Sequence, residues 1–475
     1  MEQPLFEKLK EYDKTMLPMH MPGHKRNLAL SGEGGYLAAL CADCDITEIA
    51  GFDNLAEPEE MFVSLKERAA RLWNSEEAYP LVNGSTCGIL AAIYATVPEG
   101  GKVIVARNCH KSVYNGLQFV NAKVTYLMPE WNKESGCYGS VSLQTVKKAL
   151  EDTPDAKLVI VTSPTYEGIL SDITEICRAA HEKEVPVLVD SAHGAHLGFG
   201  AFPKNASACG ADLVVHSLHK TLPSLTQTAM LHRNGKLVSK EAVQNAINMF
   251  QTSSPSYLLL ASTEGCMGLL ENRGEELFAG WEKALNGFYK RTEGLKHLSV
   301  GFPMGAEAQA LQEPGKIVIS TVGTNRNGRE LMEILRREYH IELEMAAEQY
   351  VIAMTGMGDT AESLSRLAEA LTAVDATCEA APKREMKYPM LPEIKKTIRE
   401  AMSAEKSEVP LKDAVGRVAA EHLWAYPPGI PVVVAGEEIT EDTVGYVFEK
   451  REQGVELHRK SGTCKGELRI FVVKE

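Results

Sequence analysis

The chain has 475 residues, 44% hydrophobic and 24% charged, a composition that excludes a disordered polymer and suits roughly three units of ordinary size. Lys+Arg 50 against Asp+Glu 64 leaves a formal net charge of −14, so no overall cationic field draws the protein to nucleic acid or to a membrane surface. No window approaches the roughly 18 consecutive apolar residues of a membrane helix, and the start MEQPLFEKLKEYDK places charges where a secretory signal needs an apolar core, so a cytoplasmic protein with reduced cysteines is expected.

In chain order, an amphipathic helix at 60–73 precedes apolar runs at 78–82, 102–106, 123–127, 157–162, 185–190 and 211–216, with helical patterns at 86–96, 111–120, 142–151 and 172–183 between them. Runs so uniformly apolar read as strands buried on both faces, which makes a large α/β layer domain with a mostly parallel sheet. After the run at 228–232 come long helical stretches at 239–249 and 255–292. Strands at 316–321, 341–345 and 350–355 then alternate with helices at 328–339 and 360–374. The charged, Pro-containing stretch 376–410 reads as a linker to a last piece, 411–475. The division expected is an arm at 1–58, a large domain at 59–295, a small α+β domain at 296–378 and a C-terminal domain at 379–475. Cys41-Ala-Asp-Cys44 has CxxC spacing, but no second ligand pair follows, so no metal site is expected. The sequons at Asn83 and Asn205 carry nothing in an unsecreted protein.

Chemistry concentrates at strand ends. In GADLVVHSLHK a buried strand runs into Lys220, and desolvation there lowers an amine toward the neutral, nucleophilic form that makes Schiff bases with carbonyl compounds, pyridoxal phosphate foremost. The plain alternative is a lysine emerging into solvent. VPVLVD ends in Asp190, a carboxylate able to pair with a pyridinium nitrogen or, more simply, to cap the next turn. Ser85 and Thr86, in Asn83-Gly84-Ser85-Thr86 at a helix start, suit a phosphate monoester, although such residues are also ordinary caps. His110 follows another strand and could stack on a flat ligand or serve as a hydrogen-bonded structural imidazole. Four successive strand ends thus offer a phosphate cradle, a stacking ring, a pyridine partner and a Schiff-base lysine, which together point to a pyridoxal-phosphate enzyme.

The chain also resembles a family, the Orn/Lys/Arg (basic amino acid) decarboxylases of the fold type I pyridoxal-phosphate group, particularly the compact bacterial arginine decarboxylases. The likeness rests on MPGHK (21–25), NGST (83–86), RNCHKS (107–112), SPTYEG (163–168), DSAHGAH (190–196), HSLHKTLPSLTQ (216–227), TSSPSYLLLAS (252–262) and YPPGIPVVVAGE (426–437), in family order along nearly the whole chain. It implies an aspartate aminotransferase-like large domain with a seven-stranded sheet, smaller α+β C-terminal domains, and pyridoxal 5'-phosphate as cofactor. With MPGHK starting at residue 21, the N-terminal wing of the large inducible enzymes is expected to be absent, and a homodimer or higher homo-oligomer with shared sites is implied.

By the resemblance, Lys220 holds the cofactor, Asp190 pairs with the pyridinium, and His110 stacks on one ring face with Ala192 near the other. Ser85, Thr86, Ser217 and His219 bind the phosphate, helped by a hydroxyl from 252–254 of a neighbouring subunit. His193 lies near the phenolic oxygen, and Lys220 or His219 returns a proton to the substrate. The distal cation of a basic amino acid needs a carboxylate; Glu437 is the candidate, with Asp53 of a neighbouring subunit as a helper. The family often has Pro where this chain has Ala435, which touches the substrate end of the pocket. His24 and Lys25 belong near the site without an assigned role. Arginine is expected ahead of lysine and ornithine, for polyamine biosynthesis. Another fold type I enzyme (an aminotransferase or lyase) and a non-catalytic regulatory homologue stay as alternatives.

Overall fold

The structure is a computed structural model; it describes residues 17–19, 25, 27–31, 53–301, 312–383, 385–386, 391–426, 430–452, 455–459, 462–463 and 466–474. His24 and the Cys41/Cys44 pair lie outside the described residues.

Helix α1 (Met61–Leu72) buries Phe62, Leu65, Ala69 and Ala70 and leads into β1 (Glu77–Leu81). Then follow α2 (Gly84–Thr96), β2 (Lys102–Ala106), α3 (Lys111–Phe119), β3 (Lys123–Leu127), α4 (Leu143–Asp152), β4 (Ala156–Thr162), α5 (Ile173–His181), β5 (Val187–Asp190) and β6 (Leu213–Ser217). The one-turn α6 (Leu218–Thr221) precedes β7 (Ala229–Arg233). These strands form the expected seven-stranded sheet, in the order β1-β7-β6-β5-β4-β2-β3. Strands β3, β2, β4, β5 and β6 pair in parallel, while β7 is antiparallel to both β1 and β6. Every residue of β5 and β6 is buried, because helices cover both faces. Helix α2 lies so close to the sheet that a Cβ on Gly88 would meet Leu81 Cδ1 at 2.7 Å and Val215 Cγ1 at 3.1 Å.

Beneath the end of β6 sits a buried pair of imidazoles. His216 Nδ1 lies 3.1 Å from His232 Nε2 of β7, and His232 Nδ1 lies 3.0 Å from Ser75 Oγ, with the Trp73 ring against both. Burial holds both rings neutral and lowers His232 to about 3.

Helices α7 (Lys240–Phe250) and α8 (Tyr257–Thr292) lead out of the sheet domain, and α8 packs along its length on the second region. There β8 (Lys316–Ser320), α9 (Gly328–Tyr339), β9 (Ile341–Leu343), β10 (Tyr350–Met354) and α10 (Ala361–Asp375) follow. Strands β8 and β10 pair antiparallel at the centre of a four-stranded sheet. The strand expected at 341–345 divides in two: Ile341–Leu343 pairs in parallel with Leu17–Met19, and Met345–Ala346 pairs with β10, because each half has a different partner.

The stretch expected as a linker, 376–410, is partly structured. It contains α11 (Ile398–Ser403), which buries Ile398 and Ala401 in the core of the sheet domain, and β11 (Lys406–Pro410). A six-residue helix has almost no signal of its own; a Thr397/Glu400 capping box starts it and tertiary packing holds it. The chain ends with β12 (Leu423–Tyr426), β13 (Ile430–Val433), α12 (Glu441–Glu452), β14 (Glu456–Arg459) and β15 (Arg469–Val473), where β11 pairs with β15 and β12 lies between β13 and β14. Among the described residues no helix is long and apolar enough to cross a membrane, and no group of three metal-ligating side chains occurs.

The neutral imidazole under β6 makes stability depend on acidity. Unfolded histidine takes up a proton below about 6.5, whereas folded His232 resists until about 3. Stability present above the upper value is therefore lost as pH falls through that window, by on the order of 1.4 kcal/mol per pH unit for such a group. Denaturant midpoints followed from neutral pH down to pH 4 should fall less steeply in His232→Phe than in the native protein; equal slopes would contradict this.

Candidate active site

The strand ends converge on the carboxyl edge of the sheet, the usual ligand crevice of open α/β sheets. At the end of β1, Gly84 opens α2 with a φ of +72°, a conformation that favours glycine. Asn83 does not cap the helix with its side chain; its Oδ1 accepts instead from Thr252 N at 3.1 Å in the same chain. The amides of the first turn, flanked by half-buried Ser85 and exposed Thr86, are thus left for an anion. Ser217 Oγ, at the end of β6, is buried without a hydrogen-bond partner among the described residues. Gln227 Nε2 donates to Val82 O at 2.6 Å, tying the segment beyond Lys220 to the strand end that leads into this cradle.

Asp190 ends β5, Ser217 ends β6, and Lys220 follows in α6. Burial raises the Asp190 carboxyl, opposed by Lys220 and by the Ala192 N–H, which donates to Oδ1 at 3.2 Å. Lys220 is lowered from the ordinary lysine value by burial, against the pull of Asp190 and Glu344. His110 Nδ1 accepts from Ser112 N at 3.3 Å and meets Ser112 Oγ at 2.9 Å; burial, with Lys220 and Lys111 nearby, lowers the ring to about 4, so it is neutral at physiological pH. His219 Nδ1 lies 2.9 Å from Thr228 O, the geometry of an N–H donating to that carbonyl, which leaves Nε2 as the basic nitrogen. An unpartnered buried hydroxyl, an open helix start, a neutral ring, a buried carboxylate and a desolvated amine on one edge fit a phosphorylated pyridine aldehyde.

Lys316 and Tyr166 at this edge were not selected from the sequence, whereas His193 and Lys25 were. His193 meets Lys220 Nζ through Nε2 at 2.9 Å and Lys316 Nζ through Nδ1. Lys316 comes from β8 of the second region, and the only available signal was a lysine opening an otherwise apolar run, KIVIS. Tyr166, in the SPTYEG block, packs its ring 5.0 Å from His193 and donates to Glu344 Oε1 at 2.6 Å. Lys25 of MPGHK is buried and donates to Met354 O at 2.8 Å.

Two expected substrate carboxylates have other partners. Glu437 is 1% exposed, and its Oε2 pairs with Arg107 Nη2 at 3.3 Å and accepts from Val434 N at 2.8 Å, while Oε1 has no hydrogen-bond partner among the described residues. Arg107 also donates to Pro431 O at 2.7 Å, so the pair fastens the C-terminal segment to the end of β2. Asp53 accepts from the backbone N–H groups of Asn54, Glu59, Glu60 and Phe62 and organises the start of α1. Sequence reasoning could not foresee either partnership, because both depend on a turn or a contact distant in the chain.

The family Orn/Lys/Arg decarboxylase, major domain, matches residues 3–300, and Orn/Lys/Arg decarboxylase, C-terminal domain, matches residues 375–462. The arginine decarboxylase of Bacillus subtilis (strain 168) is 32% identical over 482 residues, covering 99% of this chain and 98% of that protein. Among solved structures, lysine decarboxylase A from Pseudomonas aeruginosa superposes with a TM-score of 0.75 at 19% identity, over 99% of this chain and 80% of that one. An alanine–glyoxylate aminotransferase from Nostoc sp. superposes with a TM-score of 0.56 at 16% identity, over 71% and 91% of the two chains. These superpositions show the fold expected, that of the fold type I pyridoxal-phosphate enzymes.

Removing one member of a buried ion pair leaves the other uncompensated. Glu437→Gln should therefore destabilise the protein by about 3–5 kcal/mol in denaturant unfolding, and Arg107→Met with Glu437→Gln should recover much of that loss. Additive losses in the double variant would show that the pair is not coupled.

Proposed function

Because the chain belongs to the Orn/Lys/Arg decarboxylase family, we propose that it decarboxylates arginine to agmatine and CO2 for polyamine biosynthesis, using pyridoxal 5'-phosphate on Lys220, as a cytoplasmic homodimer or higher homo-oligomer. The observation that carries this reading is a desolvated lysine just beyond the end of β6 and a buried aspartate at the end of the adjacent strand β5, each acting electrostatically on the other. The likeness to arginine decarboxylase over nearly the whole of both chains supports arginine as the substrate. We also divide the chain at 58, 295 and 378, a reading supported for the last piece by its own apolar core of Leu411, Val433, Ile439, Val447 and Ile470.

Bound at this edge, pyridoxal phosphate would supply an electron-withdrawing pyridinium, the electron sink that loss of CO2 requires. Asp190 holds the pyridinium proton, since a buried carboxylate beside a cation gains by staying ionised. The start of α2, with Ser85, Thr86 and Ser217, would hold the phosphate. Neutral His110 offers a flat uncharged face, and Ala192 leaves room opposite. Decarboxylation replaces a carboxylate by hydrogen and so consumes one proton; Lys220, or His219 Nε2 after taking up a proton, would donate it to the substrate carbon. No arginine should clamp the α-carboxylate, because a strong ground-state ion pair opposes its loss; Arg107 is already engaged by Glu437. For the distal cation, the second oxygen of Glu437 stands as the proposed acceptor.

Competition among arginine, lysine and ornithine, with amines separated by chromatography, should yield agmatine in excess. Equal turnover of all three would overturn the substrate, and a keto acid product would overturn the reaction. Lys220→Ala should abolish the visible absorbance of bound cofactor and lower activity by about a thousandfold or more.

A further inference from the structure

His193, on the turn after β5, has a lysine at each ring nitrogen. Nε2 lies 2.9 Å from Lys220 Nζ, and Nδ1 is in hydrogen-bond contact with Nζ of Lys316, the first residue of β8. Lys316 is 1% exposed, and its Nζ also lies 3.3 Å from Tyr166 O and 3.7 Å from Met354 Sδ. Beside this turn, His196 Nε2 lies 3.0 Å from Glu313 Oε1, three residues before the strand. The two lysines are therefore held on one imidazole by contacts between the two regions of the fold. Glu313, Glu344 and Glu167 face Lys316; Asp190 and Glu344 face Lys220; His110 and His219 are the other titratable groups facing His193.

A neutral imidazole has one N–H and one lone pair. The lysine that meets the N–H has to accept it, which an ammonium cannot do. At least one of the two lysines is thus a free amine, and moving the ring hydrogen to the other nitrogen exchanges which one that is. Burial, with both lysines adding to it, keeps the ring itself uncharged.

On the premise that Lys220 carries the cofactor, we propose that Lys316 and His193 form a proton seesaw with Lys220, in which Lys316 stores the proton that Lys220 has to release to become a nucleophile. In the transfer, the Lys220 ammonium gives a proton to Nε2 while the Nδ1 proton passes to the Lys316 amine. Only N–H bonds are broken and made, and the total charge is unchanged. The reverse transfer recharges Lys220. Lys316 acts through the imidazole and is a positioning residue. Burial lowers Lys316 to about 7, against Glu313 and Glu344 and with a further fall from Lys220, which suits a group that takes up and releases a proton near neutrality.

Without Lys316, the imidazole has no amine on its far nitrogen to take the proton that Lys220 gives up. The test mixes full-length protein freed of cofactor with pyridoxal phosphate across a range of pH and follows capture by Lys220 through visible absorbance. Lys316→Met should raise the midpoint of the rate profile by about one pH unit or more, which is about tenfold slower capture at neutral pH, with the rate restored at high pH. A merely structural role would lower the amplitude or the affinity and leave the midpoint in place, and an unmoved midpoint overturns the proposal. If Lys316→Met does not fold, His193→Gln carries the same expectation and the same refutation, because an amide cannot exchange its donor and acceptor ends by proton transfer. Absence of capture by the native protein at every pH would overturn the cofactor reading of Lys220 instead.

Discussion

Because helices cover both faces of the seven-stranded sheet, β5 and β6 hold buried side chains along their whole length and can offer ionisable groups to a ligand only where they end. Asp190 and Lys220 occupy those ends. The sheet also removes water from them, so each is shifted by burial and each counters the shift of the other. A lysine that is easily deprotonated and an aspartate kept ionised by a cation are consequences of one fact, the depth of the strands from which they project.

The same depth has to be compensated wherever another charge enters the interior. Lys25, Lys220 and Lys316 come from three distant parts of the chain, yet Glu344 exerts a raising effect on all three. Arg107 and Glu437 make a second pairing between the end of β2 and the C-terminal region. Buried pairs of this kind contribute less to net stability than their contacts suggest, since desolvation offsets the attraction, but they are intolerant of losing one partner. Their effect here is to hold the pieces of the chain around the sheet edge in one arrangement.

Much of the large domain was legible because a parallel sheet covered on both sides requires continuous apolar runs, and these appear in the sequence as 102–106, 157–162 and 185–190. Short elements were not. The α11 helix is six residues long and depends on packing, so the charged residues around it read as a linker. Lys220 and Asp190 stood out because each closes an apolar run; Lys316 opens one, and nothing near it in sequence distinguishes it from a lysine at an exposed strand start.

The sequence by itself determined the class of sheet, the strand ends where ionisable side chains stand and the kinship of the chain, since those depend on local pattern and on the identity of residues at fixed spacing. The tertiary structure decided which charges meet. That Glu437 meets Arg107, and that a second lysine touches His193, depends on contacts between residues 330 and 123 positions apart in the chain. Electrostatic interaction in a dry interior is set by distance through space and by the removal of water, and neither quantity is written in the order of the residues.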